Sequence, residues 1–129
     1  MKKLLLDTHT FIWWVENAPQ LSLNARKILE NIDNKCFFSL ASSWEMAIKS
    51  SIGKLKLTLP IKNYVPEHLA ANDFKQLSIS FRHVARVESL KWHHRDPFDR
   101  LIAAQAIEEK MILVSADSIF DLYNVKRIW

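Results

Sequence analysis

Five acidic residues stand where alternating strands and helices would gather them. Asp7 closes the short apolar run KLLLD, and Glu45 lies one to two turns into the helical stretch after CFFS. Asp96 and Asp99 open the last long helical stretch, and Asp117 comes two residues after MILVS. In an open parallel sheet, the carboxyl ends of the strands and the starts of the following helices face one edge, where such folds bind ligands. Carboxylates brought together there raise one another's pKa and oppose folding unless a cation joins them. An oxygen-only set of this kind suits Mg²⁺ or Mn²⁺, hard ions that retain water for chemistry. That chemistry is the orientation and deprotonation of a water, with stabilisation of the charge that develops as a phosphodiester is cleaved.

Each acid also has a plainer role. Asp96 followed by Pro97 reads first as an N-cap with proline at the first helical position, and Asp99 then sits in a first turn that favours carboxylates. Both readings of Asp99 stay open. Glu45 stands four residues before Lys49, the favourable order for a helical ion pair. Asp117 could cap a short turn through Ile119 and Phe120. Asp7 is the hardest to set aside, because an acid rarely ends a buried apolar strand without a partner or a metal.

The elements that must position these residues are legible as short apolar runs alternating with longer helical patterns. Strands are expected at Lys3 to Asp7, Cys36 to Ser39, Gln76 to Ser80, Met111 to Ser115 and Val125 to Trp129. Helices are expected at Thr8 to Glu16, Ser22 to Ile32, Leu40 to Ser51, Ile61 to Asn72, Phe81 to Leu90 and Pro97 to Lys110. This order predicts a three-layer α/β/α sandwich with a mainly parallel central sheet. With 129 residues and no linker or repeat, a single domain over 1–129 is expected. In the first helix, Phe11, Ile12, Trp13, Trp14 and Val15 are consecutive and go right around the helix. Burial accounts for Phe11, Ile12 and Val15, whereas at least one of Trp13 and Trp14 is expected to face a partner protein.

Composition removes several classes of function. The chain is 49% hydrophobic and 25% charged, the balance of a folded globule. Its one glycine, Gly53, excludes dinucleotide-binding, Walker A and kinase glycine loops. Its one cysteine, Cys36, excludes an internal disulfide and zinc sites built on several thiolates. No apolar run approaches the ~20 residues that span a bilayer, and Asp7 interrupts the N-terminal apolar stretch before a signal sequence can form. No membrane association and a cytoplasmic location are therefore expected. The sequence Asp7-Thr8-His9 lacks the D-x-D of haloacid-dehalogenase-type phosphatases, and the lone Asp7 lacks the acidic pair of a receiver domain.

Taken together, LLLDTHTFIWW, SSWEMAIKSSIGKL, HHRDPFDRLIAAQA and ILVSADSIFDLY resemble a PIN domain, and more narrowly the VapC-type toxins of prokaryotic toxin–antitoxin pairs. The resemblance runs along essentially the whole chain, and DPFDRLIAAQA is its most specific part. It implies a Mg²⁺- or Mn²⁺-dependent endoribonuclease held inactive by a small antitoxin. By matching position, it makes Asp7, Glu45, Asp99 and Asp117 the catalytic, metal-binding acids and gives Asp96 a supporting place. Thr8 and Ser115 match small hydroxyl positions beside the first and fourth acids, where they would fix carboxylate rotamers. His93 and His94 adjoin the DPFD turn and are expected to be structural or solvent-exposed, since adjacent loop residues seldom bind one metal together.

The formal charge is +4, and setting the four acids aside leaves a larger surplus of bases elsewhere. Arg95 and Arg100 flank the DPFD acids and are the candidates for contacting a nucleic-acid backbone. RNA as substrate rests on the resemblance, as does the antitoxin; a homodimer or a toxin–antitoxin hetero-oligomer is expected. The alternative is a non-catalytic interaction module whose acidic crevice holds a partner's basic side chain.

Overall fold

The computed structural model describes residues 1–129. In chain order the elements are β1 (Lys3–Leu6), α1 (Thr8–Val15), α2 (Leu23–Glu30), β2 (Lys35–Ser39), α3 (Leu40–Ser51), α4 (Ile61–Asn72) and β3 (Lys75–Leu77). There follow α5 (Phe81–Ser89), α6 (Pro97–Glu109), β4 (Ile112–Val114), a 3-10 helix (Ser118–Leu122) and β5 (Arg127–Ile128). All strand pairs are parallel, in the order β3-β2-β1-β4-β5. The strand order reverses at β1, so the crevice for a ligand opens beyond the carboxyl ends of β1 and β4.

Alternation along the strands builds the two outer layers, because successive side chains leave opposite faces of a sheet. Leu4, Leu6, Cys36, Phe38 and Val114 pack on one face with Phe11, Ala25, Met46 and Tyr64 from the first four helices. Leu5 and Leu113 pack on the other with Ile102, Ala103 and Ala106 of α6 and with Phe120 and Tyr123. Both faces are covered, as the run LLL in β1 requires. The expected three-layer sandwich is therefore present, with each element at its expected place. Most element ends move by one or two residues, with Asp7 capping α1, Ser22 capping α2 and Asp96 capping α6, whereas β3 stops at Leu77, three residues before the expected Ser80. At β5 the pairing is shorter than expected, reaching only Arg127 and Ile128.

The aromatic helix α1 is covered more completely by its own chain than its sequence implies. Phe11 stacks on Phe38 at 4.0 Å, and Ile12 is buried with it. The half-buried Trp14 packs on Phe74 at 6.0 Å and donates its indole N–H to Asn72 Oδ1 at 3.0 Å. Trp13 lies between His9 and Trp129. The exposed rings belong elsewhere: Phe81, Trp92 and Trp44 are 84%, 77% and 58% exposed.

Candidate metal and active site

Asp7 ends β1 and caps α1, so its carboxylate is aimed by both elements. Its Oδ1 accepts the Thr10 N–H at 2.9 Å and its Oδ2 accepts the Ser115 hydroxyl at 2.5 Å. Thr10 Oγ1 donates to the Val114 carbonyl at 2.9 Å, which fastens the start of α1 to the end of β4. Burial raises the pKa of Asp7, and the hydrogen bonds from Ser115 and Thr10 oppose that rise.

Glu45 enters from α3 and is 4% exposed. Its Oε1 accepts the Thr8 hydroxyl at 2.6 Å, and its Oε2 meets Lys49 Nζ at 2.5 Å. The helical ion pair is therefore formed, inside the crevice. That hydrogen bond raises the Lys49 pKa, and the charges of Glu45, Asp96 and Asp99 add to the effect. Thr8 and Ser115 thus each donate to an acid other than the one beside them in sequence. Thr8 holds Glu45, while Ser115 holds Asp7 and accepts the Asp117 N–H at 3.0 Å.

Asp96 is the N-cap of α6, accepting the Phe98 N–H at 2.8 Å. One turn in, Asp99 faces the other acids. Burial first, then the Asp96 carboxylate, push its pKa up to about 7; Glu45 and Asp7 act in the same direction, and the His94 imidazole opposes them. Asp117 caps the 3-10 helix, its Oδ1 accepting the Ile119 N–H at 3.0 Å, while its Oδ2 lies 2.8 Å from His94 Nε2.

The acids therefore share one crevice, but its tightest group includes a residue that sequence reasoning set aside. Ligand atoms of His94, Asp99 and Asp117 all lie within 4.8 Å of one another. His93 and His94 differ because the loop turns between them. His94 is buried against Phe120 and Tyr123, whereas His93 is half-exposed and meets Tyr123 at a steep angle, 72° between planes. The signal available in the sequence was its place two residues before an N-cap, where the chain must bend into the site.

Arg100 requires a correction. It is 4% exposed, and its guanidinium donates to the carbonyls of Lys91 at 2.9 Å, Val87 at 3.1 Å and Leu90 at 3.3 Å. Trp92 covers it at 4.0 Å. It lies on the core side of α6, and its burial there, with three of its donors spent on the end of α5, keeps it away from a phosphate at the rim. Arg95 is exposed.

The donors fit a hard divalent cation. Asp99 is raised by burial and like charge, with no hydrogen bond contributing, which marks a place short of positive charge. Asp99 and Asp117 present oxygens within reach of one ion, and the charges of Asp7 and Glu45 add to the negative potential at Asp99.

A doubly covered parallel sheet with acids gathered at its reversal point defines the class: an α/β/α protein with an acidic crevice. The sequence pattern of the PIN domain family matches residues 4–126, so the chain belongs to the PIN domain family. It is 31% identical over 121 residues to Ribonuclease VapC22 of Mycobacterium tuberculosis, covering 91% of this chain and 88% of that one. Its fold is similar to VapBC2 from Rickettsia felis bound to a promoter DNA fragment, with TM-score 0.74, 17% identity and coverage of 98% and 97%. It is likewise similar to DNA-bound VapBC from Salmonella typhimurium, with TM-score 0.72, 19% identity and coverage of 99% and 98%.

Proposed function

We propose that this chain is a Mg²⁺- or Mn²⁺-dependent endoribonuclease that serves as the toxin of a toxin–antitoxin pair. The observation that carries the reading is Asp99, half-buried among Asp7, Glu45, Asp96 and Asp117 with its pKa pushed up to about 7. Its resemblance to a VapC ribonuclease supports RNA as the substrate. The VapBC structures of like fold support a small antitoxin as partner, in a homodimer or a hetero-oligomer.

In this reading Asp99 and Asp117 hold the cation, and Asp7 and Glu45 complete the site. When bound, the cation supplies Lewis acidity and a water of lowered pKa. The chain's own part is orientation: Ser115 and the Thr10 N–H fix the Asp7 rotamer, and Thr8 fixes that of Glu45. Hydrolysis joins the water oxygen to phosphorus and breaks one ester P–O bond, with the departing oxygen taking up a proton. Arg95 binds the RNA backbone from the rim. The chain has no helix long and apolar enough to cross a membrane, and a cytoplasmic site of action accords with an RNA substrate.

The test is cleavage of total RNA by the purified chain with Mg²⁺, with Mn²⁺ and with EDTA. Cleavage that EDTA abolishes, and that falls by about 100-fold or more in Asp99→Asn, is the expected result. One observation favours a second reading: Lys49 already places an ammonium on Glu45 and faces Asp96 and Asp99. An interaction module would use the same crevice for a partner's Arg or Lys, and would bind that partner while cleaving nothing.

A further inference from the structure

The group His94, Asp99 and Asp117 has the look of a mixed nitrogen–oxygen metal site, but hydrogen accounting around His94 gives another answer. The hydroxyl oxygen of Tyr123 lies 3.0 Å from the His94 backbone nitrogen and 3.1 Å from His94 Nδ1. A backbone N–H can only donate, so the first contact uses a lone pair of the Tyr123 oxygen. The hydroxyl hydrogen is then free for Nδ1, which accepts it. A neutral imidazole accepting at Nδ1 carries its proton on Nε2, and Nε2 faces the Asp117 Oδ2 acceptor at 2.8 Å. Every donor has an acceptor.

The reverse tautomer fails the same count. A proton on Nδ1 would make the Tyr123 oxygen accept twice and leave its hydrogen unpaired in a buried place. It would also turn the Nε2 lone pair on a carboxylate oxygen. Packing keeps the ring from escaping this choice. His94 lies nearly parallel to Tyr123, 5.5 Å between centroids and 10° between planes, with Phe120 at 4.6 Å. Asp117 is then gripped at both oxygens, by the Ile119 N–H and by His94, with its other lone pairs free.

We propose that Tyr123 holds His94 in the tautomer protonated at Nε2, so that His94 is a positioning donor for Asp117 and not itself a metal ligand. The positioning half rests on the cation site proposed above; the tautomer half does not. Long-range ¹H–¹⁵N correlation of the cation-free protein at about pH 8, above the ordinary imidazole range, reads the tautomer directly. A protonated, pyrrole-type Nε2 with an unprotonated Nδ1 is expected. Protonation at Nδ1, alone or together with Nε2, overturns the proposal. Mn²⁺ affinity by calorimetry then tests the positioning role in variants checked for folding by thermal melts.

His94→Ala should weaken Mn²⁺ binding about 10- to 100-fold. His94→Gln, whose amide N–H reaches the Nε2 position, should restore it to within about threefold. Tyr123→Phe should weaken Mn²⁺ while tightening Zn²⁺, because Nε2 is released as a ligand. Equal losses in the Ala and Gln variants, or no loss in a folded Ala variant, show that His94 does not position Asp117. A wild-type chain that binds no Mn²⁺ and cleaves no RNA yet shows the expected tautomer removes the nuclease reading and the positioning role together, and leaves the Tyr123 clamp standing.

Discussion

Asp99 is the residue at which stability and activity pull apart. Its folded pKa, about 7, stands above the ordinary 3.8, so the folded chain binds this proton more tightly than the unfolded chain does. The stability linked to it is present in full below about pH 4 and is lost as pH rises to about 7. Without a divalent ion, Asp99→Asn should therefore melt at or above the wild-type temperature at pH 8, and the difference should close toward pH 4. Mg²⁺ should reverse the order. At about ten times its Kd, a ligand adds ~1.4 kcal/mol to the protein that binds it. Wild type should gain that increment and Asp99→Asn little of it. Paired melts at two pH values, with and without Mg²⁺, check both signs; an equal Mg²⁺ shift in the two proteins takes Asp99 out of the cation site.

Among the elements, the C-terminus of α5 shows how a residue beside the acids can serve the scaffold. Arg100 satisfies three carbonyls at the end of that helix from inside the core, as basic groups do at helix C-termini. Arg100→Ala should cost about 3 kcal/mol or more, because carbonyls are left unpaired and Trp92 loses its cation. Arg100→Lys should restore only part of this, since an ammonium cannot match the planar fork. Denaturant unfolding of the two variants measures both. The same logic gives the half-buried Trp14 a packing role. With Asn72 on its N–H and Phe74 on its ring, Trp14→Ala should destabilise by about 3 kcal/mol. A folded Trp14→Ala that has lost only partner binding would return the ring to a docking role.

For the whole molecule, charge is segregated. The acids that matter lie in one crevice, while the chain as a whole carries +4. With a cation in place, the surrounding bases dominate the field that RNA meets, so binding should weaken steeply with salt. Arg95, exposed beside the Asp96 cap, should contribute one unit of that dependence. Arg95→Ala should leave thermal melts unchanged and reduce the slope of log K against log salt by about 1. Fluorescence titrations on RNA with non-hydrolysable linkages, run in Mg²⁺ with Asp99 intact, provide the measurement. An unchanged slope assigns the contact to other bases.

Short apolar runs and helical patterning determined the order and type of every main element, because KLLLD, CFFS and MILVS can bury both faces only inside a covered parallel sheet. The convergence of Asp7, Glu45, Asp99 and Asp117 followed from that order, since parallel strands send their carboxyl ends to one edge. Tertiary structure alone decided what each neighbour does. Arg95 and Arg100 are equivalent as letters beside DPFD, yet Arg95 stands exposed on the loop before the cap while the phase of α6 buries Arg100. His93 and His94 are likewise equivalent in sequence, and only the packing of Tyr123 and Phe120, about thirty residues later in the chain, draws the second into the site. Thr8 and Ser115 adjoin one acid each, and hydroxyl geometry sends each to another. Spacing along a chain records direction and period; which donor meets which acceptor depends on distances that exist only after the sheet has closed over its helices.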